Sequence, residues 1–198
     1  MFRVRAHHLT LAFIFGLGAC SSTGGVPQSG FYPDEFDQNV WIDMKRYSEP
    51  KLHAENTKSR YKTRHRLSLS GVACREFVIR LDVIENMGGR GIIKSRDRCK
   101  ARFSIDKKRF RVNSKDVEKL QALIADAGLF KFYPEVWEYP NEDTICIDGT
   151  QIVIERRDEM GFGVSMANAQ CTAPFEVVAI AQKFVELSGD KRAKRLLP

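Results

Sequence analysis

Several kinds of chemistry have no foothold in this chain. Its 198 residues contain no run near the roughly 20 apolar positions that carry a helix across a bilayer. The longest apolar stretch, residues 9–18, is too short to span. The G-x-S-x-G and H-E-x-x-H patterns and a phosphate-cradling glycine turn ahead of a helix are all missing. Histidine is scarce: of four, only His53 and His65 lie beyond the first ten residues, both in a polar, basic stretch where they read as solvated. No two cysteines stand two to four residues apart, so the usual zinc spacing is absent. These gaps predict no enzyme activity, no cofactor and no metal. Glu135, Glu138, Glu142 and Asp143 are carboxylates of the type that works as an acid/base pair. With no partner motif they read as a solvated acidic loop.

What is present begins at the amino terminus. Arg3 and Arg5 precede the short apolar run, which gives way to Leu17-Gly18-Ala19-Cys20 and then to SSTGGVPQSG. A cationic start, a short apolar segment and small residues form an export signal rather than an anchor. Leu17-Gly18-Ala19-Cys20 resembles the lipobox of bacterial lipoproteins, Gly18 being a less usual choice at its place. The resemblance implies that residues 1–19 are a signal peptide and that Cys20 becomes the lipid-bearing first residue. It implies a membrane partner through that lipid, since two or more acyl chains anchor stably where one does not. Ser21, where Asp would favour inner-membrane retention, points to the outer membrane facing the periplasm.

Residues 20–30 read as a flexible tether and 31–65 as an aromatic, acidic arm followed by a basic linker. Docking of the aromatic arm and its exposure both remain open. A single domain is expected over 66–189, with a basic tail at 190–198. Hydrophobic residues make up 43% of the chain, enough to bury a core. Phe77, Ile79, Leu81 and Val83 recur with period two, Gly88-Gly89 marks a hairpin, and Phe110 and Val112 belong to another strand. Val117, Leu120, Leu123, Ile124 and Ala127 mark one face of a helix capped by Asn113 or Ser114 and stopped at Gly128. A second hairpin is expected around Asp158-Glu159-Met160-Gly161. Pro174 opens a last helix with Phe175, Val178, Ile180, Ala181, Phe184 and Leu187 inward, ending at Gly189. This order predicts an α+β domain: an antiparallel sheet of about five to seven strands with two helices packed on one face.

With Cys20 committed to lipid, four cysteines remain for an oxidising compartment, and disulfides are expected. Separate buried thiols are the alternative. Three pairings exist, and each predicted hairpin is bracketed by one pair, which selects Cys74–Cys99 and Cys146–Cys171. The formal charge is +7, and residues 90–111 concentrate ten cations against Asp97 and Asp106. That balance favours anionic surfaces without specifying nucleic acid, which an exported protein would not meet. Arg90, Arg96, Arg98, Lys100 and Arg102 are the candidate contacts for an anionic partner, an envelope protein or an anionic envelope polymer. The expected function is a non-enzymatic binding or scaffolding module of the envelope. The alternatives are an inhibitor or immunity-type protein and an envelope-polymer hydrolase. Replacing Cys20 by Ala should leave an unlipidated or unprocessed product released without detergent. Unaltered mature mass and membrane attachment would contradict the assignment.

Overall fold

The structure is a computed structural model that describes residues 44–54, 61–71, 74–85, 87–101, 104–130, 135–136 and 149–198. Strands β1 (Thr63–Gly71), β2 (Arg75–Ile84), β3 (Gly88–Asp97) and β4 (Ile105–Val112) lead into helix α1 (Ser114–Asp126). The short β5 (Glu135–Val136), then β6 (Thr150–Asp158) and β7 (Gly161–Asn168), precede helix α2 (Phe175–Ser188) and a final turn α3 (Lys191–Lys194). The seven strands form one sheet in the order β4-β3-β2-β1-β6-β7-β5. Neighbours are antiparallel except β5, which pairs parallel with β7. The fold is the expected α+β class. No helix among the described residues is long and apolar enough to cross a membrane.

Register explains the core. Ile93, Ile79, Leu67 and Ile154 stand opposite one another on β3, β2, β1 and β6, so period two puts them on one face in one row. Leu69, Phe77 and Ile152 make the next row. Val117, Leu120 and Ile124 of α1 and Ile180, Ala181 and Phe184 of α2 close over these rows in a single cluster. Both helices therefore cover the same face. Asn113 caps α1 by accepting from the Asp116 amide at 2.8 Å, while its own amide donates to the Asp116 carboxylate at 2.9 Å. Gly189 ends α2 with φ of 65°, a left-handed geometry that glycine adopts without penalty.

Three expectations are corrected. The strand expected from Leu67 begins at Thr63, which takes His65 out of solvent and leaves it 2% exposed against Phe184. Residues 190–198 are no free tail: Ala193, Leu196 and Leu197 enter the main core, since their three-and-four spacing makes one apolar edge among the cations. Residues 44–54, expected as part of an arm and linker, lie across the other face of the sheet with Met44, Tyr47 and Leu52 buried. His53 is buried there as well, against Phe162. Within the helices, Leu123 lies at the edge of the buried stripe, and Phe175 is 80% exposed although Val177 and Val178 of the same turn are buried. The aromatic arm, residues 31–43, is outside the described residues.

Burial, with Arg156 adding repulsion, pulls the His65 imidazole from 6.5 down to about 3. Above pH 6.5 the ring is neutral folded or unfolded. As pH falls below that value the unfolded chain takes up a proton that the folded chain refuses, so stability is lost down to about pH 3. This one group should account for a loss on the order of 4 kcal/mol across that window. Urea midpoints measured from pH 7 to pH 4 should fall more steeply in the parent than in His65→Leu. Equal slopes would contradict the assignment.

Candidate anion-binding edge

The face of the sheet away from α1 and α2 is rich in charge, and its charges fall into two groups. At the centre, Arg66 on β1 holds Glu155 on β6 through two bonds, Nε–Oε2 at 2.6 Å and Nη2–Oε1 at 2.5 Å. Its remaining nitrogen donates to the Pro50 carbonyl at 2.7 Å. Glu49, fully buried, lies between Arg80 at 2.7 Å and Lys94 at 2.6 Å. The Lys94 ammonium also donates to the carbonyls of Tyr47 and Ser48, at 2.6 and 3.2 Å. Ser48 has a φ of 51°, and that turn aims both carbonyls at the lysine. Arg64 donates to Asp82 at 2.5 Å, and Tyr47 donates to Glu76 at 3.2 Å. Arg66, Arg80 and Lys94 hold the 44–54 strap to the sheet.

At the β3–β4 edge the balance changes. Antiparallel pairing sets Arg90 opposite Arg111, Ile92 opposite Arg109 and Lys94 opposite Lys107. Arg90, Lys107, Arg109 and Arg111 thus share one face, all four are exposed, and none makes an ion pair among the described residues. Like charges directly opposite each other destabilise a strand pair, so the arrangement is carried at a cost. Part of its use is protective, since β4 is an edge strand and cations on an edge discourage pairing with other chains. One or two charges would suffice for that. Four on one face of β3 and β4, bordered only by Asp82 on β2, which Arg64 and Arg80 engage, form a strip that can receive an anionic surface.

The candidate contacts read from sequence are divided by this geometry. Arg90 belongs to the strip. Arg96 and Arg98 face Glu76, at 3.9 and 3.3 Å, and the Arg98 guanidinium also bonds the Gly71 carbonyl. The two share that one carboxylate. Lys100 is exposed in the turn beyond β3, and Arg102 lies outside the described residues. Lys107, Arg109 and Arg111 complete the strip in their place. Their spacing of two, in a segment ending at buried Val112, is the signal that marks them as one strand face.

The expected Cys74–Cys99 disulfide is present, with Cα atoms 5.3 Å apart across the base of the β2–β3 hairpin. Asp97 lies close to both sulfurs, but the bond between them removes the thiolates a metal would need, and its carboxylate accepts from the Cys99 amide instead. Cys171 is also disulfide-bonded. Its expected partner Cys146 lies outside the described residues, as do the lipidation candidate Cys20 and the carboxylates Glu138, Glu142 and Asp143. Glu135 stands in β5. No protein-family model, curated protein or solved structure matches the chain.

Proposed function

We propose that this chain is a lipid-anchored, non-enzymatic binding module of the bacterial envelope that engages an anionic partner through its β3–β4 edge. The observation that carries the reading is the strip of Arg90, Lys107, Arg109 and Arg111, exposed and without ion pairs among the described residues. The lipobox-like Leu17-Gly18-Ala19-Cys20 supports an outer-membrane tether facing the periplasm. The partner is an envelope protein or polymer rich in carboxylates or phosphates. Attraction across such a strip acts over about 8 Å at physiological ionic strength and weakens as salt is added.

Replacing Arg90, Lys107, Arg109 and Arg111 together by Ser should reduce crosslinked capture of the partner in intact cells by about tenfold or more. Stability should change by no more than about 0.5 kcal/mol, because these side chains make no ion pair that the fold needs. Membrane attachment, which rests on Cys20, should not change. By contrast, Arg66→Leu should destabilise by about 3–5 kcal/mol, because it strands Glu155 in the interior. A charge-stripped edge that captures the same neighbours equally well would overturn the reading.

A further inference from the structure

Strand β4 closes one side of the sheet, and among the described residues no strand lies beyond it. An edge strand leaves the main-chain N–H and C=O groups of every second residue pointing outward, ready to pair. Proteins blunt such edges with short strands, prolines, bulges or charges. β4 is 8 residues long and holds no proline, and its register against β3 runs unbroken from Gly89↔Val112 to Arg96↔Ile105. Of these devices it uses only charge. Asp106, Lys107, Lys108 and Arg109 are all exposed, so both side-chain faces of the edge are open.

The charges decide what can pair there. Lys107, Arg109 and Arg111 share one face with Arg90 of β3, at a repeat of about 6.7 Å set by the two-residue spacing of a strand. On the other face stand Lys108 and Asp106, the latter engaged by Arg192 at 3.2 Å. A second copy of this chain, paired antiparallel through β4, would set these cations against their own counterparts. Like charges opposite each other destabilise a strand pair. A strand with carboxylates at alternate positions would instead lay each one beside a cation. The same charges thus refuse one partner and admit another, which is specificity built from repulsion. A lipid headgroup or a phosphate polymer could meet the cations, but it has no alternating N–H and C=O groups to match the edge. A polypeptide has both.

We propose that β4 takes up an extended, acidic segment of a partner protein as a further strand of the sheet, with carboxylates at every second residue lying beside Lys107, Arg109 and Arg111. This rests on the reading of the basic strip given above and adds to it the partner's class and backbone form. Main-chain bonds supply affinity, and the alternating charge selects the partner.

The test adds a short peptide of alternating Glu and Thr to the full chain in detergent. Backbone amide exchange along β4 is followed together with the side-chain signals of Arg90, Arg109 and Arg111. One control peptide is N-methylated at every residue, which keeps the charge and removes the main-chain donors; another carries Gln in place of Glu. The parent peptide should slow exchange at alternate β4 residues, those turned away from β3, by about tenfold or more. Both controls should bind at least about tenfold more weakly and slow none of these amides. A Gln peptide that slows them equally would overturn the proposal. Arginine shifts with the peptides or with inorganic polyphosphate, but no slowed outward amides, would overturn strand addition and leave the basic-strip reading standing. Arginines silent toward every anion would overturn both. Outward β4 amides already slow before any peptide is added would show an edge filled by a second copy, if the slowing grows with concentration, or by this chain's own segments, if it does not. Either result would overturn the proposal.

Discussion

The Arg66–Glu155 pair is the interaction on which the rest of this structure turns. It joins the two central strands of the sheet through a side-on, two-bond contact, and the third arm of the same guanidinium holds the strap at Pro50. Burying two full charges is expensive, and the cost is offset only because the remaining nitrogen and oxygens are also matched. The pair therefore contributes position more than raw stability. With Arg66 facing away from the helices, Leu67 must face them, and the register of β1 against both β2 and β6 follows. Glu49, with Arg80 and Lys94 one and two strands further out, grips the strap again at the residue next to Pro50. Tyr47, Met44 and Leu52 then find their apolar contacts on a face that would otherwise be a wet, mixed surface.

This division of labour explains how far the chain could be read before its structure was known. The period-two pattern of β2 and the three-and-four stripe of α1 report local geometry, and local geometry was legible. So was the Cys74–Cys99 bridge, since a hairpin brings its own base together. His65 was not. Its neighbours Arg64 and Arg66 look like solvated linker, although Thr63, His65, Leu67 and Leu69 continue one strand face. The buried ends of the chain were hidden in the same way. Ala193, Leu196 and Leu197 sit among KRAKR, and Tyr47 and Leu52 among polar residues, so their apolar contacts show only once the sheet is assembled.

The basic region illustrates the limit most clearly. Residues 90–111 announce an excess of cations, but a cation's role depends on which carboxylate reaches it. Glu49, Glu76 and Glu155 come from distant segments and take up Lys94, Arg96, Arg98 and Arg66. What is left over, at the edge strand, is the strip that bears the proposed function. Charges inside the sheet's far face build the molecule, and charges at its rim face outward.

The arginine Nε–H signals of the folded protein test that separation most directly, because each guanidinium reports its own surroundings. During addition of inorganic polyphosphate, the signals of Arg90, Arg109 and Arg111 should shift progressively, and the shift should reverse with salt. Those of Arg66 and Arg80, held by Glu155 and Glu49, should stay where they are. Movement of Arg66 and Arg80 with the edge signals silent would contradict the account.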